Sequence, residues 1–502
     1  MDVADFFLKP SDGYYRFAPT SDNGATVYYD NKDFYRAVRR DLANTRQSFQ
    51  FVYFAGWWSD LRLVMGDPTA SPAPPTLGAV FSALAVGLPV PPPPDRSSMP
   101  TEERQPGPEI CCMLWQHKSQ LDLGATPAIV LPDSIFGAPI LAAINTATIK
   151  TINYLRGTSE GILDKNHALF GSHHQKFTVM LTDDGLVAFI GSSDYNTDRL
   201  YAEGDGAAPW PSGKGAPLND VNVRLTGPAA ADALKTFTDR WHAHPEGKSR
   251  PLKGDTYTAV KTAASQGAVH VQLSHTYAKT YPYPEAVRSA ADTHLKICRT
   301  ALRYVYFEDQ YLIGTPELWT ALRDKLASNV EFVVIGVVAP LAVVGDLRWL
   351  KERRSDFWQP LVAAYPGRVL LFEMLAPDGT DAGPGAYLHN KMTIADDIVV
   401  TMGSVNFSRR SHSHDSEVMA TMGGPVAPGS TVSIALQVRA DRLARHLGVR
   451  PSEPPPLADA IAALRRLPST ARIRPWTPVP SALGPTERSF YNTAYNVVLD
   501  PA

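Results

Sequence analysis

The chain has 502 residues, of which 44% are apolar and 20% are charged, and its formal net charge at pH 7 is −2. A globular chain of this length has room for two hydrophobic cores or more. The small net charge gives no overall bias towards nucleic acid or an anionic membrane, and no run of about 20 apolar residues predicts a transmembrane helix.

Cysteine usage and the N-terminal residues bear on the cellular compartment. Cys111 and Cys112 are sequence neighbours that would point to opposite faces of a strand, and Cys298 is distant, so no disulfide framework is expected. Residues 1–7 lack the basic region and apolar stretch of a signal peptide. We therefore expect a cytoplasmic location, or export without a visible signal.

The predicted elements of the first half are mainly strands. Apolar runs and periodicity predict strands over 49–57, 109–115 and 220–225, a hairpin that includes 187–190, and a helix over 229–242. Proline is concentrated in 68–75 and 89–108, and it blocks both helices and strand pairing. We expect an exposed insertion over 68–108, with a flap over the active site as the functional alternative.

The first chemically informative segment lies on the predicted hairpin. Residues 173–176 read His-His-Gln-Lys, an acidic pair follows at 183–184, and 191–194 read Gly-Ser-Ser-Asp. Side chains two positions apart on a strand project from the same face. His174 and Lys176 would therefore offer one imidazole and one positive charge to the same spot.

The predicted elements of the second half repeat this pattern. Strands are expected over 304–311, 330–338, 369–373, 388–395 and 398–402, with helices near 285–302, 316–328, 435–447 and 457–467. Residues 389–391 read His-Asn-Lys, Asp396 follows, and 403–406 read Gly-Ser-Val-Asn. The same motif, a His-x-Lys segment followed by a Gly-Ser turn, therefore occurs twice, once in each half.

This internal repeat predicts the domain organisation. We expect an N-terminal half over 1–250, a C-terminal half over 251–450, and an extension over 451–502 that packs on the second half. Alternating strands and helices predict an α/β fold, and the hairpins favour mixed sheets. The expected architecture is two similar α/β/α halves related by a pseudo-two-fold, with the cleft at their interface.

Two imidazoles and two ammonium groups suit the cleavage of a phosphodiester, whose anionic oxygens repel nucleophiles. Lys176 and Lys391 would hold the oxygen charge, with Asn406, Ser193 and Ser404 as hydrogen-bond donors to the phosphate. One histidine must be neutral to attack phosphorus, and the other must be protonated to give a proton to the leaving alcohol.

Two carboxylates occupy comparable places after the two copies of the motif. Asp220 lies 46 residues after His174, and Glu417 lies 28 residues after His389. A carboxylate bonded to one ring nitrogen fixes the histidine tautomer and leaves the other nitrogen to react. The spacing does not decide whether each acid serves the histidine of its own half or of the other half.

These residues resemble the HxKxxxxD signature of the phospholipase D superfamily. His389, Lys391 and Asp396 match at every signature position, whereas Leu181 stands at the place of the first acid and Asp183-Asp184 follow it. The resemblance implies phosphodiester cleavage through a phosphohistidine, without a metal or cofactor. It also implies that Asp183 and Asp396 are structural acids.

The resemblance extends over residues 45–450 and favours the phospholipid-cleaving branch. Residues 52–57 and 304–311 are similar to the entry strands of the two halves in that branch. Asp194, where the other copy has Asn406, is similar to the first half of plant and animal members and is expected to contact substrate. By resemblance, His174 is the nucleophile and His389 the acid and base, with the exchange of these roles left open.

We therefore expect an enzyme that hydrolyses a glycerophospholipid at a membrane surface to phosphatidic acid and a head-group alcohol, with transfer when an alcohol replaces water. The chain carries both halves, so a monomer is expected, and no nucleic-acid partner. A nuclease or other phosphodiesterase of the same superfamily is the first alternative. An inactive lipid- or phosphate-binding relative is the second.

Three further features have competing interpretations. His173 is expected to be structural, because it points away from the face that carries His174. His412 and His414 would either contact a head group or lie solvated on a loop. Residues 348–358, with Trp349 and Trp358, would form either a membrane-surface helix or a covering helix with both tryptophans packed inward.

Overall fold

The structure is a computed structural model that describes most of the chain. It describes residues 1–502 except 14, 69, 89–105, 117–119, 122–128, 131–137, 156–158, 169–170, 201–217, 258–266, 280, 345–347, 377, 382, 384, 450–452, 481–482 and 495–502.

The first half contains strands β1 to β10 and helices α1 to α4. The strands are β1 (Thr20–Tyr28), β2 (Phe51–Gly56), β3 (Glu109–Trp115), β4 (Gln120–Leu121), β5 (Ile129–Val130), β6 (Glu160–Asp164), β7 (Phe177–Thr182), β8 (Gly185–Gly191), β9 (Leu218–Asn219) and β10 (Asn222–Thr226). The helices are α1 (Asn31–Ala43), α2 (Leu77–Leu84), α3 (Ala138–Tyr154) and α4 (Pro228–Ala243).

The second half and the C-terminal extension contain strands β11 to β19 and helices α5 to α12. The strands are β11 (Val269–Thr276), β12 (Tyr304–Asp309), β13 (Val333–Val338), β14 (Val369–Met374), β15 (Tyr387–Leu388), β16 (Lys391–Ala395), β17 (Val399–Gly403), β18 (Glu417–Gly423) and β19 (Ile473–Pro475). The helices are α5 (Ser289–Thr300), α6 (Pro316–Ser328), α7 (Leu341–Val344), α8 (Arg348–Ala364), α9 (Arg409–Ser413), α10 (Ile434–Leu447), α11 (Leu457–Arg465) and α12 (Pro485–Ala494).

One 15-stranded mixed sheet joins the two halves. From its centre the order is β1-β10-β8-β7-β2-β3-β6 in one direction and β11-β18-β17-β16-β12-β13-β14-β19 in the other. The two series correspond strand for strand up to β6 and β14, and β1 pairs antiparallel with β11 between them. The predicted α/β fold with mixed sheets is confirmed, with the half-sheets joined edge to edge at the centre of the repeat.

Buried runs and capping residues explain the local structure. Every residue of β2, β3, β12 and β13 is buried, as expected of strands covered on both faces. Thr315 caps α6 and Pro316 occupies its first position, where a missing N–H costs nothing. Ser433 caps the start of α10, and Gly448 ends that helix in the left-handed conformation.

Two sequence expectations about local structure were wrong. Residues 77–84, inside the expected Pro-rich insertion, form α2, whose Leu77, Val80, Phe81 and Leu84 are buried in the core of the first half. Apolar residues at helical spacing outweigh the flanking prolines there; residues 89–105 lie outside the described part. The motif histidines also precede their strands, because β7 begins at Phe177 and β16 at Lys391.

The C-terminal extension contributes the edge strand of the second half. In this segment β19 pairs antiparallel with β14, and Trp476 donates its backbone N–H to Leu371. The domain boundaries near 250 and 450 remain predictions. No helix in the described ranges is both long enough and apolar enough to cross a bilayer.

Helix α8 covers the second half of the sheet. Trp358 is fully buried and its indole N–H donates to the Leu312 carbonyl at 2.9 Å. Arg354, also buried, donates to the carbonyls of Gln310, Tyr311 and Ala339. A membrane-surface role is therefore wrong for these two side chains, while the side chain of Trp349 lies outside the described part.

Candidate active site

Each motif histidine is bonded to a carboxylate of the opposite half. His174 Nδ1 lies 2.9 Å from Glu417 Oε1 and 3.0 Å from Oε2, and His389 Nδ1 lies 2.6 Å from Asp220 Oδ1. The alternative left open by the sequence is thus settled in favour of crossed pairs. Each crossed pair leaves the Nε2 atom of its ring available for chemistry.

The backbone makes the same crossing. The His174 N–H donates to the Ser416 carbonyl at 2.9 Å, and the His389 N–H donates to the Asn219 carbonyl at 2.7 Å. Short parallel pairings accompany these bonds, between β9 and β15 and between His173 and Ser416. Each histidine is therefore held at two points by residues adjacent in sequence, the acid and the residue before it.

Glu417, at the start of β18, accepts two further hydrogen bonds. Ser404 Oγ donates to its Oε2 and Ser411 Oγ donates to its Oε1 at 2.7 Å. Ser404 is fully buried, and its backbone N–H bonds to Val418. The Ser404 hydroxyl is therefore engaged with the acid that contacts His174, and its expected donation to a phosphate stays a prediction.

Asp220 is held by an equivalent set of donors. Ser192 Oγ donates to Asp220 Oδ1 at 2.7 Å, and Asn31 Nδ2 donates to Oδ2 at 3.0 Å. The Ser193 hydroxyl bonds within the same buried group, to Tyr35, Asn31 and Asp220, and its expected donation to a phosphate stays a prediction. The aligned Gly-Ser pairs at 191–192 and 403–404 were the sequence signal that Ser192 is the counterpart of Ser404.

The two motif lysines have different neighbours. Lys176 Nζ donates to the His174 carbonyl at 3.0 Å and lies 3.3 Å from Asp194 Oδ2. Lys391 Nζ donates to the His389 carbonyl at 2.6 Å and to Gln310 Oε1 at 3.4 Å. The first lysine thus has a carboxylate in direct contact, and the second has an amide.

Asp194 is bonded within the protein rather than placed as a free substrate ligand. Its Oδ1 accepts the backbone N–H of Trp57 at 2.9 Å and that of Trp58 at 3.3 Å. Asn406 is its counterpart in the second copy of the motif and is 4% exposed. Among the described residues, Asn406 Oδ1 has no hydrogen-bond partner. Substrate contact by Asn406 or by Asp194 stays a prediction, and Asp194 Oδ2 is paired with Lys176.

A third buried cation, Arg199, was missed by sequence reasoning. It follows the first Gly-Ser turn, is 1% exposed, and lies 3.6 Å from Asp194 Oδ2. Its charge acts on Asp220 and on both motif lysines. The position of Arg199 in the sequence did not indicate a place in the site, because a single arginine after a turn is ordinarily solvated.

The two predicted structural acids occupy different turns. Asp396 accepts the backbone N–H groups of Leu302, Arg303 and Tyr304 at 2.6–2.9 Å and so fixes the entry of β12. Asp183 lies in the two-residue turn between β7 and β8 and accepts one bond, from Gln50 Nε2 at 2.9 Å. The acid of the first motif copy, Asp183, therefore makes a side-chain contact where the acid of the second copy, Asp396, makes backbone contacts.

The other histidines lie outside the two crossed pairs. His173 is buried, with Nδ1 3.0 Å from Asp164 Oδ2. His412 is also buried and bonds to His294 at 2.9 Å, so neither a head-group contact nor a solvated loop describes it. Within the described residues no group of three His, Cys, Asp or Glu side chains is arranged to hold a metal ion.

Comparison with known proteins places these features in a family. A family model described as "Cardiolipin synthase, PLD-like domain" matches residues 294–430. Phospholipase D alpha 4 of Arabidopsis thaliana is 21% identical, over 77% of this chain and 59% of that protein. Phospholipase D alpha 1 of Brassica oleracea var. capitata is 26% identical, over 50% of this chain and 45% of that protein. The chain thus spans about half the length of these relatives.

The fold comparison agrees. The phosphatidylserine synthase of Haemophilus influenzae Rd KW20 aligns over 95% of this chain and 94% of its own, with a TM-score of 0.52 and 10% sequence identity. The chain belongs to the phospholipase D superfamily. Membership places it among phosphodiesterases and the related transferases.

In this phospholipase D superfamily member, burial lowers the pKa of both motif histidines. Burial and the charge of Lys176 hold the pKa of His174 well below its usual value, and burial and Lys391 do the same for the pKa of His389. Lys391 also lowers the pKa of His174. Cations from both halves therefore act on one imidazole.

The two acids differ in their protonation. Burial, reinforced by the charge of Asp415, raises the pKa of Glu417 to about 8. Burial would also raise the pKa of Asp220, but His389 and Arg199 outweigh it and hold that pKa well below its usual range. Asp220 is therefore an anion near neutral pH, whereas Glu417 keeps its proton until the pH reaches about 8.

The two lysines differ in the same way. Burial lowers the pKa of Lys391 to about 7, although Asp309 and Asp220 oppose the shift. Burial also lowers the pKa of Lys176, and there Asp194 opposes it from direct contact. Lys391 is therefore the lysine whose charge changes near neutral pH.

Proposed function

We propose that the chain is a phospholipase D-type phosphodiesterase that hydrolyses a glycerophospholipid to phosphatidic acid and a head-group alcohol. The single observation that carries this proposal is the pair of crossed histidine–carboxylate contacts, His174 with Glu417 and His389 with Asp220. Such crossing brings one imidazole from each half to the boundary between the halves. A phosphodiester needs two imidazoles there, one to attack and one to protonate the leaving group.

His174 is assigned as the nucleophile in the first step. With Glu417 ionised, Nδ1 carries the ring proton and Nε2 carries the lone pair that attacks phosphorus. The bond from phosphorus to the head-group oxygen breaks, and that oxygen takes the Nε2 proton of His389, which enters this step with both ring nitrogens protonated. Anionic Asp220 stabilises the protonated form of His389 that makes this transfer.

The second step releases the phosphohistidine. His389, now neutral, takes a proton from water, the water oxygen bonds to phosphorus, and the bond to His174 Nε2 breaks. An alcohol in place of water gives transfer of the phosphatidyl group. Lys176 and Lys391 hold the negative charge on the phosphoryl oxygens in both steps.

Three observations bear on the choice of substrate, and the first two support a phospholipid. Phospholipase D enzymes are the curated relatives named above, at 21% and 26% identity. The strand segments 52–57 and 304–311 are similar to those of phospholipid-cleaving members. Net charge is −2, which gives no support to a nucleic-acid substrate. We propose that the chain acts as a monomer on lipid at a membrane surface, because one chain supplies both halves.

Synthesis by transfer is the second candidate function. The family model that matches residues 294–430 is described as a cardiolipin synthase domain. Transfer on this chain would need an alcohol as the acceptor of the phosphatidyl group. The same two histidines serve this reaction, with the acceptor alcohol deprotonated by His389.

Product analysis tests the proposal. Unmutated protein, His174→Ala and His389→Ala would each be incubated with phosphatidylcholine vesicles, bis(p-nitrophenyl) phosphate and single-stranded DNA. The proposal expects choline and phosphatidic acid from the unmutated protein and a loss of roughly 10³-fold or more in both variants. Cleavage of DNA without cleavage of lipid would overturn the substrate assignment. Adding glycerol to the vesicles would reveal transfer as phosphatidylglycerol.

A further inference from the structure

Two residues outside the crossed pairs link the halves at the site. Ser416 precedes Glu417, and Asn219 precedes Asp220. The carbonyl of each accepts the backbone N–H of the histidine that its neighbouring acid orients. The position of Ser416 therefore fixes His174 and Glu417 together, and the position of Asn219 fixes His389 and Asp220 together.

The Ser416 side chain is bonded to an arginine of the first half. Arg240, in the last turn of α4, donates from Nη1 to Ser416 Oγ at 3.0 Å. Its Nη2 lies 2.6 Å from Asp164 Oδ2 and its Nε 2.8 Å from the same atom. Arg240 is 1% exposed, and Asp164 also contacts His173, the neighbour of His174.

The Asn219 side chain is bonded to an arginine of the second half. Arg445, in the last turn of α10, donates from Nη2 to Asn219 Oδ1 at 3.1 Å and from Nη1 to the Tyr29 carbonyl at 2.9 Å. The Asn219 amide group donates in turn to the Gly385 carbonyl. Helices α4 and α10 occupy corresponding places in the repeat, so the two arginines form a reciprocal arrangement.

Rigid attachment distinguishes these arginines from surface cations. A guanidinium donates in a fixed planar fork, so the bidentate contact of Arg240 with Asp164 sets the direction of its remaining N–H groups. Displacing Ser416 would move the backbone acceptor of His174 and the carboxylate of Glu417 at once. Small displacements of a reacting group cost large factors in rate, on the order of 10²-fold for about 1 Å.

We propose that Arg240 and Arg445 are positioning residues, each of which holds the acid–histidine pair across the boundary between the halves. Arg240 acts through Ser416 on His174 and Glu417, and Arg445 acts through Asn219 on His389 and Asp220. This inference rests on the proposed function, because it assigns His174 to attack and His389 to proton transfer.

The variants Ser416→Ala and Asn219→Ala test the proposal, since each removes the acceptor and leaves the arginine in place. Ser416→Thr restores a hydroxyl, and Ser328→Ala, an exposed serine on α6, is the matched control. Unfolding temperatures would be measured first, and all assays run at least about 10 °C below them so that every variant is folded.

Leaving-group dependence separates the two attachments. Nitrophenolate leaves without a proton, whereas the alcohol of phosphatidylcholine needs one. Ser416→Ala is expected to slow the first turnover of both substrates by about tenfold, with rescue by Ser416→Thr. Asn219→Ala is expected to slow choline release by about tenfold and the nitrophenolate burst by less than about threefold. Equal slowing of both substrates by Asn219→Ala, or full activity of Ser416→Ala, would overturn the proposal.

A spectroscopic readout keeps the proposal distinct from the function. Protein with ¹⁵N-labelled histidine would be examined by NMR, with the two Nδ1 proton signals assigned through Glu417→Gln and Asp220→Asn. Ser416→Ala should shift the His174 signal alone and Asn219→Ala the His389 signal alone. Those shifts without turnover of any substrate would reject the function and keep the positioning role; no shift in either variant would reject the positioning role.

Discussion

Lys176 and Asp194 form an ion pair at 3.3 Å, whereas Lys391 donates to the neutral amide of Gln310 at 3.4 Å. Asp309 is the carboxylate whose charge acts most strongly on Lys391. Its side chain accepts hydrogen bonds from the backbone N–H groups of Tyr311, Leu312 and Phe407. The repeat thus places two similar lysines in different electrostatic surroundings. Differences in their behaviour with pH follow from this.

The charge of Lys391 should limit activity on the alkaline side. Because the pKa of Lys391 is about 7, its ammonium is present below that pH and is lost as the pH rises through it. We expect this loss of charge to cause the fall of kcat/KM on the alkaline side of the optimum. Lys391→Arg keeps its charge at all these pH values, so the fall should disappear from its profile.

Lys176→Arg is the matched control for that experiment. Asp194 is in direct contact with Lys176 and favours its charged form, so we expect that replacing Lys176 by arginine leaves the fall in place. A profile in which Lys176→Arg alone removes the fall would contradict the assignment.

Ser404 should set the acidic side of the profile. Its hydroxyl donates to the ionised form of Glu417 and lowers the pKa of that carboxyl, which burial has raised to about 8. Ionised Glu417 is needed for the reactive tautomer of His174, so its deprotonation should cause the rise of kcat/KM on the acidic side of the optimum. Ser404→Ala removes the donor and should move the rise to higher pH, as measured by the pH dependence of kcat/KM.

The two acids should differ in how their loss depends on the leaving group. Asp220→Asn removes the anion that stabilises protonated His389, and Glu417→Gln removes the partner of His174. We expect each to reduce phosphatidylcholine turnover by roughly 10²–10⁴-fold. On bis(p-nitrophenyl) phosphate, only Glu417→Gln should keep its full effect on the initial burst. Equal losses on that substrate would exclude a crossed division of labour.

Asp396 and Asp183 should differ in their contribution to stability. Asp396 accepts three backbone hydrogen bonds and Asp183 accepts one side-chain bond. Asp396→Ala should therefore lower the free energy of unfolding by about 1–3 kcal/mol, and Asp183→Ala by less than about 1 kcal/mol. Urea titrations followed by circular dichroism measure both. Similar losses would mean that the shifted acid of the first half does the same structural work.

Much of the fold could be predicted from the sequence because its signals are local. Strand β3 and helix α6 have the expected bounds, and the α/β class follows from alternating apolar runs. The central strand β1, in contrast, reads Thr-Ser-Asp-Asn-Gly-Ala-Thr-Val-Tyr and has no apolar alternation. It was missed because its partners, β10 and β11, are distant in sequence and supply the pairing.

The identity of the main site residues could be predicted from the sequence, but the contacts between them could not. The repeated motif identified a group of four residues from residue type and spacing alone: His174, Lys176, His389 and Lys391. Which acid meets which histidine depends on pairing between segments far apart in the chain, such as β9 with β15. Arg199, Arg240 and Arg445 were missed for the same reason, since a helix or turn arginine becomes informative only when its burial is known.

Convergence of His174 and His389 on one phosphorus atom is tested most directly by a crystal structure with vanadate bound. We predict a bond from vanadium to His174 Nε2 and, on the opposite side of the metal, an oxygen within hydrogen-bond distance of His389 Nε2. Lys176 and Lys391 should contact the remaining oxygens. Vanadate held by one histidine, with the other imidazole out of reach of every vanadate oxygen, would contradict the proposed chemistry.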